Sequence, residues 1–253
     1  MSLPVSVCVE KVFDDDPFVD RIDRAAAAGA DAVEFWGWRD KDLDAVADRA
    51  AEYDLDVAGM VAGAGSLVDP HRTDQAIADF ESAIAEADAI DCPTLIVTTG
   101  LAEDAFSREE QREALVSALA GAAPAAEDAG VTLAVEPLNV AVDHEGYFLA
   151  ESAEAFEIAA AANSEAVTVL FDVYHQQITE GDVTRGLTEN VADVGHVHVA
   201  DNPGRHEPGT GELNYANILD ALDETDYDGY VGCEFDPVGD AEAAVEHVVE
   251  LAD

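Results

Sequence analysis

The sequence predicts a single (β/α)8 barrel over residues 1–253. Three observations predict it. Short β-rich runs alternate with Ala-rich amphipathic segments, the pattern of parallel strands covered by helices. Eight such pairs fit into 253 residues, the usual size of this barrel. No G-x-G-x-x-G follows the first strand, which argues against a doubly wound open sheet, and no Pro/Gly/Ser-rich linker or charge step divides the chain.

The strands are read at 5–9 (VSVCV), 31–36 (DAVEFW), 55–61 (LDVAGMV), 93–98 (PTLIVT), 131–136 (VTLAVE), 167–172 (VTVLFD), 194–199 (VGHVHV) and 229–234 (GYVGCE). Helices are expected near 17–28, 40–53, 72–90, 108–128, 152–162, 181–191, 214–224 and 239–252. Asp16-Pro17 reads as a cap followed by a first-turn proline, and Ser107-x-x-Glu110 as a capping box. Gly29, Gly130 and Gly229 stand at or just before strand starts, where a helix end or tight turn wants a positive φ.

The composition excludes several function classes. Eleven Lys+Arg face 56 Asp+Glu, a formal charge of −45, and the lysines are only Lys11 and Lys41. Phosphate neutralisation needs a basic face, so nucleic acid is not a partner; anionic membranes are excluded likewise. Disorder is not implied, because 49% of residues are hydrophobic. Such self-repulsion is tolerable where salt screens it, since the Debye length falls to about 3 Å at 1 M. The acids run along the whole chain, not in a tail, which points to a halophilic, haloarchaeal source. Cys8, Cys92 and Cys233 are odd in number and widely spaced, as reduced cytosolic thiols are. No leader pattern and no apolar run of about 18 residues occur, so a cytoplasmic location is expected.

In this fold the active site lies at the C-terminal ends of the strands. Strand 5 ends in Glu136, strand 6 in Asp172 and strand 8 in Glu234, while strand 7 carries His196 and His198 on one face. These acids close apolar runs, where a salt-adapted surface does not place them. Three converging carboxylates would raise one another's pKa, and a divalent cation resolves that conflict. Three carboxylates and one imidazole suit Mg²⁺, Mn²⁺ or Co²⁺. His196 lies deeper and reads as a hydrogen-bonded core histidine; His198 is the ligand. His71, His144 and His247 have no such placement.

The loop at 200–212 is rich in Gly and Pro, yet charged, and loops of this length are commonly functional. Its Arg205 forks onto a substrate carboxylate or oxygen, or pairs with a local acid. His175 follows strand 6 at the mouth. Trp36 ends strand 2, where an aromatic walls a sugar pocket or caps the core. Glu10, at the end of strand 1, is a further candidate for substrate contact.

The motifs Val135-Glu136-Pro137-Leu138-Asn139, Asp172-x-Tyr174-His175, the run from Gly195 to Glu212 (GHVHVADNPGRHEPGTGE) and Gly232-Cys233-Glu234 resemble those of the hydroxypyruvate isomerase family, among the xylose-isomerase-like sugar isomerase/epimerase barrels. The resemblance covers nearly the whole chain and is densest from 131 to 236. It implies one divalent metal held by Glu136, Asp172, His198 and Glu234, and a homo-oligomer, dimer or tetramer. The third ligand, often Gln in hydroxypyruvate isomerases, is His198 here, as in the related ketose 3-epimerases. The loop to Arg205 resembles the isomerase.

The residues agree with proton-transfer chemistry. Isomerising an α-hydroxy carbonyl removes a C–H proton and stabilises an enediolate, work suited to a metal and a carboxylate pair. Glu136 and Glu234 form that pair, with Glu234 preferred if one residue handles both protons. His175 and Arg205 hold oxygens of a small sugar or hydroxy-keto acid. A Schiff-base aldolase needs a barrel lysine, and neither Lys11 nor Lys41 is placed for it. The rival readings are a ketose 3-epimerase, an endonuclease IV-like nuclease and a non-catalytic sugar-binding protein.

Overall fold

The computed structural model describes residues 2–63 and 65–253. Eight parallel strands run in chain order: β1 (Val5–Cys8), β2 (Ala32–Gly37), β3 (Asp56–Val61), β4 (Thr94–Val97), β5 (Thr132–Val135), β6 (Val167–Asp172), β7 (Val194–Val199) and β8 (Val231–Cys233). β1 pairs with β8 through Val5↔Val231 and Val7↔Cys233, so the sheet closes on itself. The helices are α1 (Val9–Val12), α2 (Asp20–Ala27), α3 (Leu43–Glu52), α4 (Thr73–Ala89), α5 (Arg108–Ala129), α6 (Ser152–Ala162), α7 (Val173–Thr179), α8 (Val183–Glu189), α9 (Tyr215–Asp223) and α10 (Ala241–Ala252). The expected barrel is present. The four-residue α1 and seven-residue α7 were not expected; both continue directly from a strand, and their apolar residues read as strand or loop.

Side-chain alternation sorts the interior. Leu95, Val97, Leu133, Val135, Val169 and Phe171 join the main core under the helices. The intervening Ile96, Ala134 and Leu170 form a separate small cluster with Val61. Alternate strand residues point to opposite faces, so this second cluster fills the barrel on the β3–β6 side. Across from it the inward positions are Ser6, Glu34, His196, His198 and Gly232, all in strands β1, β2, β7 and β8. Above the layer of Thr94, Thr132 and Thr168, the barrel interior is therefore apolar on the β3–β6 side and polar on the other.

Local signals hold in part. Ser107 Oγ accepts from Glu110 N, and the Glu110 carboxylate accepts from Ser107 N at 2.8 Å, the expected capping box. Gly29 and Gly130 have φ of 80° and 70°. Gly229 is not in that region; space explains it, since a Cβ there would stand 2.6 Å from Tyr227 Oη. Asp16 is not an N-cap. A turn at 17–19 precedes α2, and Asp16 instead receives a hydrogen bond from Arg24. The three cysteines are buried and unbonded to one another.

Candidate active site

The strand ends bring the four expected side chains together. Glu136, Asp172, His198 and Glu234 are all buried, and one donor atom of each lies within 4.8 Å of every other. His198 Nδ1 is 3.4 Å from Glu234 Oε2 and 3.7 Å from Glu136 Oε1. The donor set fits a hard divalent ion on its own evidence. Glu136 Oε1, Asp172 Oδ2 and His198 Nδ1 are buried with no hydrogen-bond partner, and such atoms are costly unless something binds them.

A buried residue missed by the sequence reading supports this set from below. Glu34, mid-strand in β2, accepts from Ser6 Oγ at 2.9 Å and contacts His196 Nε2 at 2.7 Å and His198 Nε2 at 2.9 Å. With Glu34 facing Nε2, His198 presents Nδ1 to the cluster, the usual second carboxylate behind a ligand histidine. Gly232 leaves room for this: a Cβ there would lie 2.7 Å from His198 Cδ2 and 2.9 Å from both Glu34 oxygens. Burial alone would raise Glu34, yet His198 and His196 hold it down to about 2. His196 is the core histidine expected.

Charge in the cluster is settled by its cations. Burial pushes Asp172 up to about 6, against the pull of Arg205 and His198. Burial likewise opposes ionisation of Glu234, but Arg205 and His198 overcome it and hold the carboxyl well below its ordinary value. Arg205 Nη2 bonds Glu234 Oε2 and lies 3.8 Å from Asp172 Oδ2. Both readings of Arg205 thus meet at one place: it faces the site, and it pairs with an acid there. Trp36 Nε1 donates to Glu234 Oε1 at 2.8 Å, and Trp36 N donates to Glu10 Oε2 at 2.6 Å. Glu10 therefore braces Trp36 and pairs with Lys41 at 3.0 Å.

The loop that carries Arg205 is built around Asp201. Its Oδ1 accepts from Asn202 N and Leu213 N, and its Oδ2 from Gly209 N and Gly211 N, all at 2.8–3.0 Å. Arg205 itself has φ of 57°, a conformation that costs a non-glycine residue of order 1 kcal/mol. Its backbone is pinned by Arg205 N to Asp201 O and Asp236 N to Arg205 O.

His175 stands in the first turn of α7, wholly buried, where a loop position at the mouth was expected. Asp172 caps that turn by accepting from His175 N. The ring's Nδ1 accepts from Asn139 N at 3.3 Å, so a neutral ring carries its proton on Nε2. Burial lowers its pKa to about 4, with Arg205 adding to the effect. Nε2 has no hydrogen-bond partner and is 3.6 Å from Asp172 Oδ2.

Above the cluster lies a cavity of about 290 Å³. Glu136, His198, Arg205, Glu234 and Trp36 reach it, as do Lys11, which the sequence put just past strand 1 and not in the barrel, and His144 and Tyr147, which it placed nowhere. Val61, Ile96 and Leu138 make its opposite, apolar wall. The His144 ring lies 5.2 Å from that of His175, tilted 58° to it.

Known proteins resemble this chain over most of its length. A 2-oxo-tetronate isomerase of Cupriavidus necator is 35% identical over 234 residues, 89% of this chain and 90% of that protein. The hydroxypyruvate isomerase of Escherichia coli is 30% identical over 251 residues, covering 96% and 97%. A Brucella melitensis crystal structure described as AP endonuclease, family 2, superposes with a TM-score of 0.92 at 31% identity over 100% of both chains. Residues 22–251 match the xylose isomerase-like TIM barrel family, and with that match the chain belongs to that family.

Proposed function

We propose that this protein is an isomerase of small hydroxy-keto acids, acting on hydroxypyruvate or a 2-oxo-tetronate by proton transfer between adjacent carbons. The observation that carries this reading is the placing of Glu136 and Glu234, from strands on different sides of the barrel, at one cavity above Asp172 and His198. Two relatives that match it over about nine-tenths or more of both chains are named isomerases of such acids.

Glu136, Asp172, His198 and Glu234 would hold a divalent ion, Mg²⁺, Mn²⁺ or Co²⁺. When bound it supplies positive charge beside the substrate's carbonyl and hydroxyl oxygens. One glutamate, as the carboxylate, takes the proton from the hydroxyl-bearing carbon and, now the acid, returns a proton to the former carbonyl carbon, while the hydroxyl's proton passes to the former carbonyl oxygen. Glu136 has a free oxygen for this. Glu234 is ionised and aligned by Trp36 and Arg205. His175, wholly buried, does not line the cavity; its Nε2 stands 3.6 Å from Asp172 Oδ2, so it acts by positioning Asp172. Arg205 offsets the negative charge that develops.

The reading is tested by incubating the protein with Mn²⁺ in D₂O and following hydroxypyruvate, a 2-oxo-tetronate and C4–C6 ketoses by NMR. Interconversion of the keto acids with deuterium entering at the two adjacent carbons is expected. Turnover of ketoses alone, with deuterium at an inverted C3, selects the ketose 3-epimerase instead; His198 in the cluster favours that second reading. No turnover of either class removes both. A nuclease reading, raised by the description of the Brucella structure, conflicts with a charge of −45.

A further inference from the structure

The chain has two lysines, and both stand at the C-terminal mouth of the barrel, but they are used differently. Lys41 is spent on the fold. Its Nζ pairs with Glu10 at 3.0 Å, bonds Gly37 O and lies 4.8 Å from the centre of the Phe18 ring. Lys11, in α1 just past β1, lines the cavity. Among the described residues its ammonium has one partner, Asp236 Oδ2 at 2.6 Å. An ammonium has three donors, so two remain for a ligand. Six of the nine arginines pair with acids away from the cavity, so a cation that lines it with two donors left over stands out.

The cavity gives that cation a direction. Its β3–β5 wall is Val61, Ile96 and Leu138, while Lys11, Arg205 and Glu234 occupy the β8–β1 side. Arg205 is already engaged by Glu234 and Asp172. A protein of charge −45 disfavours anions at its surface, so a cation lining the cavity helps to hold an anionic ligand. Asp236, which holds Lys11, also donates its backbone N–H to Arg205 O, so the two cations are set relative to one another by one residue.

We propose that Lys11 binds the carboxylate of the substrate and makes the site prefer keto acids to neutral ketoses. This rests on the isomerase reading above for the identity of the reaction, and on Lys11's place in the cavity for the anion. The carboxylate lies toward β8 and β1, and the substrate's carbon tail toward β3–β5.

Two measurements test it. Protein labelled with ¹³Cε-lysine carries only two labelled side chains, so Lys41 is an internal control. Titration with D-glycerate should shift the Lys11 signal and leave Lys41 in place, while glycerol shifts neither. Kinetically, Lys11→Gln should raise KM for hydroxypyruvate about tenfold or more, the loss of one charge-assisted hydrogen bond, with a much smaller change in kcat. Its KM for D-erythrulose should be unmoved, and Lys11→Arg should recover most of the hydroxypyruvate effect. A Lys11 signal indifferent to glycerate overturns the proposal, as does a KM change shared equally by acid and ketose, which is what a purely structural Lys11–Asp236 pair would give. If glycerate shifts Lys11 but no keto acid turns over, the anion site stands and the isomerase reading falls.

Discussion

Glu234 carries three tasks at once: it is placed at the cavity, it accepts from Trp36 and Arg205, and it faces His198 Nδ1. Glu234→Gln keeps the shape and removes the charge and the basicity. We expect kcat to fall by at least about 100-fold, the usual worth of a positioned acid–base group, in steady-state assays with Mn²⁺. Glu34 acts one layer below. Glu34→Gln should loosen the hold on His198 and weaken Mn²⁺ binding by about 10–100-fold, read by competition with a chelator, with EDTA abolishing turnover of the native protein. Asp201→Ala strands the four backbone N–H groups that Asp201 accepts from, and should lower kcat/KM through misplacement of Arg205. That Glu136, Asp172 and Glu234 meet at one site was legible in the sequence because each closes an apolar strand. Glu34 was not, because it sits inside DAVEFW, where nothing separates a buried anion from a strand residue facing water. Asp201 was not, because an acid that folds a loop onto itself leaves no local pattern among 56 acids.

At the scale of elements, alternation and caps located all eight strands to within one or two residues. What failed was short or tertiary. α1 and α7 are too brief to show a helical period, and they exist because the strand before each delivers its end into a buried turn. The capping box of α5 was legible, since its two partners are three residues apart. Ser107→Ala should cost about 1 kcal/mol and lower Tm by about 2–4 °C, measured by thermal melts. Between elements, Arg24 on α2 grips Glu242 on α10 with two hydrogen bonds of 2.7 Å, which hold Glu242 below the ordinary carboxylate range. A folded-state pKa below the unfolded one adds stability above the unfolded value, about 4.3, and loses it as pH falls through the folded one. The pair is partly exposed, so the effect is under about 1 kcal/mol. Glu242→Gln should be slightly less stable than the native protein at pH 7 and equal to it near pH 3, by urea denaturation in high salt.

Over the whole molecule the charge of −45 leads us to expect a solvent requirement. If the halophilic reading holds, Tm rises steeply from low to molar KCl, and a flat profile counts against it. No helix among the described residues is long and apolar enough to cross a membrane. The division of the barrel interior, above its threonine layer, into an apolar and a polar side was not visible in the sequence. It depends on which strand residues turn inward together, and that is fixed only when β8 meets β1. That same closure has a consequence for how copies of the protein can meet. A closed sheet offers no row of unpaired N–H and C=O groups, so one copy cannot extend another by adding a strand. Assembly, ordered or not, has to proceed through helix faces and loops.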